Sequence, residues 1–394
     1  MRVLILSVTA GTGHNSTAKA LSDYFASINV ESEVFDTYQH ISGIIAKSID
    51  KGYNVSTKSM GRLYATMYSK WEHRKKEKDY DKNSPMRAIH SLVSSKIHAY
   101  IEEYVPDAIV STHPLAAMLM DILKKKNMIS VPVYCILTDF TVLPYFEEAR
   151  HLDYLVTATE LLNPQAFKKG YKRSQILPFG IPINPKFAKH ESKQKMRKML
   201  GLDQNKFTIL LMGGGIGYGN MFETFKKIDA LNIDCQIIVV CGRNEKAKAK
   251  IGEIQPKKQV LCLGFVDNVE QLMDASDCII TKPGGLSTSE AFAKNLPIIM
   301  INPIPGQEER NTEFLLNNGV AMNVTKTCPL DEVIFQFFFF PEKIENMKRN
   351  ISLLRRPNST RDICEFIANE YKNKLKESKD IKENKEVKEN SEKI

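Results

Sequence analysis

The sequence has no apolar run near the ~18–20 residues that a bilayer-spanning helix needs. Its apolar start, Met1 to Leu6, is too short for a secretory signal and runs directly into a glycine loop, which points to a cytoplasmic chain. Seven cysteines are scattered with no CxxC pair. Cys135, Cys235, Cys241, Cys262 and Cys278 fall in or near apolar strands and read as buried thiols in a reducing compartment, excluding a disulfide scaffold or a zinc site. No metal site is visible. The first glycine loop reads GTGHNSTAKAL rather than GxGxxG, which discounts NAD. The net charge of +9 comes with no nucleic-acid motif, so a lipid surface or a nucleotide donor is the better match for the basic excess.

What is present is a repeated grammar of strand, glycine turn and helix, α/β in class. The stretch from Cys278 to Asn311 carries most of it. An apolar strand breaks at Lys282-Pro283-Gly284-Gly285, and a helix follows from about Ser287. Glycines let backbone come close to a ligand, and the free N–H groups of a first helical turn attract a phosphate. Ser287 and Thr288 add hydroxyls. Glu290 suits sugar hydroxyls better than a diphosphate, which it would repel. A second strand leads into the polar loop that holds Gln307, Glu308 and Asn311.

The N-terminal strand, residues 1–8, ends in Ala10-Gly11-Thr12-Gly13-His14-Asn15. Gly13 and His14 stand where the loop enters a helix, at the carboxyl end of the strand, where open α/β sheets bind ligands. A helix N-terminus disfavours imidazolium, so His14 tends toward the proton-accepting form. Two further strands, in PDAIVSTHP and in Val131 to Leu137, end at His113 and at Thr138-Asp139-Phe140 on the same edge. Asp139 suits orientation of an acceptor hydroxyl or of the base, and His113 suits an acceptor or headgroup; both also read as strand-end caps.

Residues 45–100 hold twelve Lys or Arg against five Asp or Glu, a local +7. Within them Tyr64, Met67, Tyr68, Trp71, Arg74 and Lys75 fit an amphipathic helix lying on an anionic membrane, or a helix packed on the sheet before a solvated charge run. In the second half, Gly213 to Gly219 contains five glycines, of which Gly214 and Gly215 are placed to approach a diphosphate. Arg243 follows the strand Gln236–Val240 and suits a phosphate. Phe265 and Val266 follow the strand Val260–Leu263. Phe337 to Phe340 reads as helix-end core or as a lipid contact. Asn358-Ser359 caps a last helix, Thr360 to Lys372, with Asp362 at the capping-box position. From Lys376 six Lys alternate with six Asp or Glu, the pattern of a disordered or transiently helical tail.

The runs SVTAGTGHNSTAKAL and CIITKPGGLSTSEAFAKNLPIIMINPIPGQEERN resemble those of the monogalactosyldiacylglycerol synthases and processive diacylglycerol glucosyltransferases of glycosyltransferase family 28. The resemblance implies the GT-B fold, two Rossmann-like domains with parallel sheets facing across a cleft. It implies an inverting transfer of glucose or galactose from UDP-glucose or UDP-galactose to diacylglycerol or another membrane lipid, with no metal or other cofactor required. It implies His14 as general base, Glu290 on the ribose, Gln307 and Glu308 on hexose hydroxyls, and Phe265 and Val266 framing the uracil. It implies peripheral attachment to the inner face of the cell membrane. The family's His and Trp after the Thr-Asp pair are replaced here by Leu143 and Phe146.

The stiff segment Phe179 to Pro185, with two prolines and a glycine, marks a boundary. The expected units are 1–180 for the acceptor and membrane, 181–357 for the donor, a helix at 358–375 crossing back, and a charged tail at 376–394. Three alternatives stay open: an N-acetylglucosaminyltransferase on a lipid-linked peptidoglycan precursor, a UDP-sugar epimerase, and a non-catalytic UDP-sugar-binding regulator.

Overall fold

The computed structural model describes residues 1–8, 13–37, 39, 85–147, 149–215, 217 and 219–391. Tyr68, Trp71, Arg74 and Lys75 lie outside the described residues.

Short runs of β-branched and aliphatic residues, buried on both faces, form two parallel sheets. The first joins β1 (Arg2–Ser7), β2 (Glu31–Asp36), β3 (Ala108–Ser111), β4 (Val133–Ile136), β5 (Tyr154–Val156) and β6 (Ile176–Leu177) in the order β2-β1-β3-β4-β5-β6. The second joins β7 (Phe207–Met212), β8 (Cys235–Val240), β9 (Val260–Leu263), β10 (Cys278–Thr281), β11 (Ile298–Met300) and β12 (Ala321–Asn323) in the order β12-β11-β10-β7-β8-β9. The helices of the first half are α1 (Gly13–Ser27), α2 (Pro85–Tyr104), α3 (Pro114–Lys125) and α4 (Asn163–Lys168). Those of the second are α5 (Lys193–Met199), α6 (Met221–Ala230), α7 (Glu245–Gly252), α8 (Val269–Ala275), α9 (Gly285–Ala293), α10 (Gln307–Asn317), α11 (Leu330–Phe339), α12 (Pro341–Leu354) and α13 (Ser359–Ser391). The inner strands β3, β4, β8 and β10 are buried throughout, as sheets covered on both faces require. The edge strands β2 and β12 carry too few apolar residues to stand out in the sequence; β2 leaves Glu31, Glu33 and Val34 exposed and buries only Phe35.

Each sheet has one place where the strand order reverses. In the first it lies between β1 and β3, which pair as Leu4 with Ile109. In the second it lies between β7 and β10, which pair as Ile209 with Cys278. Loops leave such a pair in opposite directions and open a crevice at the carboxyl ends, where α/β proteins bind ligands.

The segment after β6 packs against the far end of the chain. Gly180 has φ +99, and a Cβ there would overlap the side chain of Arg356. The Ser359 hydroxyl donates to the Ile181 carbonyl at 2.8 Å, and the Thr360 hydroxyl to the Ile183 carbonyl at 2.6 Å. Ser359 therefore ties two segments rather than capping its helix. Along α13, Ile363, Cys364 and Ile367 sink into the apolar layer formed by Val3, Ile5, Ala18, Leu21 and Phe25 of the first sheet and α1. Burial of each isoleucine is worth on the order of 2 kcal/mol before entropy is subtracted.

α13 does not stop near Lys372 but runs to Ser391, so residues 376–391 are helix rather than disordered chain. The spacing explains it: Lys376, Lys379, Lys382, Lys385 and Lys388 each stand four residues before an acid, the spacing of attractive pairs on a helix surface. Of the four phenylalanines, Phe337 is buried, Phe338 meets Phe207 edge to face at 5.7 Å, and Phe339 and Phe340 are exposed. Among the described residues no helix is long and apolar enough to cross a membrane.

Candidate active site between the two sheets

The first reversal point brings two imidazoles together. His14, in the first turn of α1, and His113, which precedes α3, have ring centroids 4.4 Å apart in an edge arrangement. The Nδ1 of His14 lies 2.6 Å from the Thr112 carbonyl, an acceptor only, so Nδ1 carries the proton and donates. The Thr138 hydroxyl oxygen is 3.3 Å from the same nitrogen. Nε2 of His14 is thereby left with its lone pair. His113 has the opposite tautomer: its Nδ1 accepts the Leu115 N–H at 3.1 Å as the cap of α3, which leaves Nε2–H as a donor. Burial lowers the pKa of His14, against the Thr112 hydrogen bond and the Asp139 charge, which raise it. Burial, then the neighbouring His14, holds His113 well below the ordinary imidazole value. Both rings are accordingly neutral near pH 7, one a base and one a donor. Gly13 begins α1, and a Cβ there would meet no atom within 4 Å.

The second reversal point holds two glycine turns. After β7, Gly214 and Gly217 have φ +71 and +62. The loop folds onto the end of β8: Gly217 N–H donates to the Gly214 carbonyl at 2.9 Å, and Arg243 N–H to the Gly215 carbonyl at 3.1 Å. Gly242 permits this approach, since a Cβ there would sit 2.7 Å from the Gly215 carbonyl oxygen. Gly214 and Gly215 thus spend their carbonyls inside the protein. Arg243 and Phe265 are both exposed, with the guanidinium 5.6 Å from the ring centroid. An open aromatic face beside a cation is suited to a flat base. Val266 is half-buried against the core.

After β10, Gly284 precedes α9 and Gly285 opens it. A Cβ on Gly285 would overlap the carbonyl of Thr138, so the N-terminus of α9 is pressed against the loop that follows β4. Ser287 is half-buried one turn in, and Thr288 is fully buried with no partner for its hydroxyl among the described residues. Glu290 is half-buried, and its carboxylate has no hydrogen bond among the described residues. Loss of solvent pushes its pKa up to about 8, with Lys186 opposing and Glu270 adding to the rise. The sequence suggested a carboxylate here; the surroundings favour its protonated form.

Three expected ligand residues are committed to protein contacts. Glu308 is buried, and its two oxygens accept from Lys282 Nζ at 2.6 Å and Ile304 N–H at 2.8 Å. Asn311, expected at the donor, is fully buried and instead spans the two halves. Its Oδ1 accepts the Phe140 N–H at 2.8 Å, and its Nδ2 donates to Asp139 at 2.9 Å and to the Pro283 carbonyl at 3.0 Å. Asp139, expected to face the acceptor or the base, accepts from Asn311 and from Gln307 Nε2 at 2.8 Å. It reaches His14 by charge alone. Phe140 completes the joint by stacking on Phe314 at 5.4 Å and meeting Phe292 edge-on at 5.6 Å. The residues that sequence reasoning missed are Thr112 and Thr138, which hold the His14 ring, and Lys282, which holds Glu308. Thr112 acts through a main-chain carbonyl, which no residue type reveals. Among the described residues no group of three or more His, Cys, Asp or Glu could hold a metal.

Residues 14–183 match the family model for monogalactosyldiacylglycerol (MGDG) synthase, and residues 208–363 match the glycosyltransferase family 28 C-terminal domain. The chain is 27% identical over 371 residues to a processive diacylglycerol beta-glucosyltransferase of Bacillus pumilus, covering 94% of this chain and 95% of that one. It is 30% identical over 373 residues to monogalactosyldiacylglycerol synthase 1, chloroplastic, of Arabidopsis thaliana, covering 91% and 69%. In fold it is similar to Acinetobacter baumannii MurG, with a TM-score of 0.62 at 14% identity over 93% of this chain and 99% of that one. It is also similar to the UDP-GlcNAc 2-epimerase from Neisseria meningitidis, with a TM-score of 0.58 at 14% identity over 94% and 100%. Two six-stranded parallel sheets of the GT-B kind, matched along both halves by these models and relatives, place the chain in the monogalactosyldiacylglycerol synthase family of glycosyltransferases.

Proposed function

We propose that the protein transfers a hexose, glucose or galactose, from a UDP-sugar to diacylglycerol or a closely related membrane lipid, with inversion and with His14 as general base. The observation that carries the reading is the fixed tautomer of His14. The Thr112 carbonyl takes the Nδ1 proton, so Nε2 faces the reaction as a lone pair on a ring kept neutral by burial. Nε2 removes the proton of the lipid hydroxyl as its oxygen attacks the anomeric carbon. The bond to the UDP oxygen breaks on the opposite face. The Nε2–H of His113 is a donor within reach of the same acceptor.

The leaving diphosphate is held by the N–H groups at the start of α9, beside Ser287, which no side chain caps among the described residues and where the helix dipole favours negative charge. Phe265 and Arg243 take the uracil face. Glu290 meets the ribose as a neutral acid, which removes the repulsion a carboxylate would exert on the phosphates. Gln307 reads hexose hydroxyls. Fixed dipoles and Arg243 supply the charge neutralisation, so the reading requires no metal. The relatives' names support diacylglycerol as acceptor; the basic, aromatic segment before α2 supports docking on the anionic inner face of the cell membrane.

The test is incubation of the purified protein with vesicles containing diacylglycerol and either labelled UDP-glucose or UDP-galactose. A labelled monohexosyl lipid formed from one donor, and abolished in His14→Ala with UDP binding retained, is the expected result. A protein that binds UDP but labels no lipid, or that epimerises the sugar without acceptor, would overturn it.

A further inference from the structure

The carboxylate of Asp139 belongs to the first domain, yet both of its oxygens are taken by donors from α10 of the second. Asn311 is fixed independently, because its Oδ1 must face the Phe140 N–H and its Nδ2 the Pro283 carbonyl. Asn311 therefore can only donate to Asp139, and the remaining carboxylate oxygen, Oδ2, is left to Gln307. A carboxylate only accepts at neutral pH, so the Gln307 amide must turn Nε2 toward it. That turns Oε1, an acceptor, away from Asp139 as the edge Gln307 offers to a ligand, with the second Nε2 hydrogen at its side. The contact is 95% hidden from solvent at Asp139, where a donor facing a donor is expensive.

We infer that Asp139 is a positioning residue for sugar selection: from across the cleft it locks the Gln307 amide so that a sugar hydroxyl facing Oε1 must donate a hydrogen bond. The sugar site is then complete only when the two domains are together, and its polarity is set by the acceptor domain. This rests on the reading above, in which Gln307 contacts the hexose of a UDP-sugar. Without the lock the amide can rotate and offer either edge, and hydroxyl groups of either orientation become equivalent partners.

Asp139→Asn puts an NH2 donor opposite Gln307, because its oxygen must face Asn311, so the Gln307 amide turns over and offers Nε2 to the sugar in place of Oε1. Gln307→Glu sets two carboxylates against each other. The double variant Asp139→Asn, Gln307→Glu restores one donor and one acceptor at each contact. The amide introduced at position 139 accepts from Asn311 through its oxygen and donates to the carboxylate at position 307 through its nitrogen, and an acceptor oxygen again faces the sugar. The experiment measures kcat and KM of all four proteins with UDP-glucose and UDP-galactose, alongside UDP affinity and melting temperature. Each single variant is expected to raise the KM for the preferred UDP-sugar roughly tenfold and to shrink the preference between the two donors. Affinity for UDP itself should stay within about threefold, since UDP lacks the hexose. The double variant should recover most of the lost KM and preference. Single variants with unchanged KM and preference would overturn the inference, as would a double variant no better than its worse parent. A single variant that melts far below the wild type is judged by the double variant, whose recovery of selectivity a purely structural role does not give. If the wild-type protein uses neither donor, the proposed function fails instead, and the two failures are told apart.

Discussion

Replacing Glu290 with glutamine tests whether the donor end of the cleft operates with a neutral acid. Desolvation raises this carboxyl from an ordinary 4.5 to about 8. At 1.36 kcal/mol per pH unit, that gap corresponds to about 5 kcal/mol above pH 8 and about 3 kcal/mol at pH 7. Part of the side chain remains in solvent, so roughly 1–3 kcal/mol is the working figure. The sign follows from which state ionises first. Below about pH 4.5 the group is protonated whether the chain is folded or not, and the residue contributes no pH dependence. Between 4.5 and 8 the unfolded chain loses the proton and the folded chain keeps it, so stability falls as pH rises and levels off above 8. Glutamine has no such loss. Urea denaturation should show the variant equal to wild type near pH 4.5 and more stable by about 1–3 kcal/mol at pH 8. Calorimetry of UDP binding should show wild-type affinity weakening as pH rises through about 8, when the charge appears beside the diphosphate, while the variant stays level. A stability difference independent of pH, or a loss of UDP affinity greater than tenfold in the variant at pH 7, would refute the reasoning.

His14→Ala should reduce transfer by at least about a hundredfold without changing UDP affinity, measured by lipid labelling and calorimetry. In the wild type, kcat/KM should fall only at acid pH, with its limb below the ordinary imidazole value of 6.5, because burial lowers the pKa of His14. Gly285→Ala drives a methyl into the Thr138 carbonyl; loss of about 1–3 kcal/mol in urea denaturation and a drop in kcat are expected, since the domains must part to admit it. Phe265→Ala removes the exposed ring beside Arg243 and should raise the KM for the UDP-sugar several-fold while leaving stability unchanged.

The strand-glycine-helix units could be read from the sequence because their signals are local. A continuous apolar run must be a covered strand, and a glycine followed by a polar helix start must be a turn that approaches something. His14 at the end of the first strand and Gly284-Gly285 at the end of the tenth were placed by that logic alone. The edge strands β2 and β12 escaped it because half-covered residues need no apolar pattern. The tail stays open between helix and disorder in the sequence because charge alternation serves a solvated helix and a disordered chain equally well.

Taken alone, the amino-acid order determined the two-sheet architecture, the place of His14 at the end of the first strand and the family, since each rests on residues close in sequence. Tertiary structure alone decided what Asp139, Asn311, Gln307 and Glu290 do. Asp139 meets partners 168 and 172 residues away, and only their approach fixes which edge of each amide points where. Glu290 is pushed toward its neutral form by the low polarity of surroundings assembled from distant segments, a property that resides in the packed molecule and in no stretch of its chain.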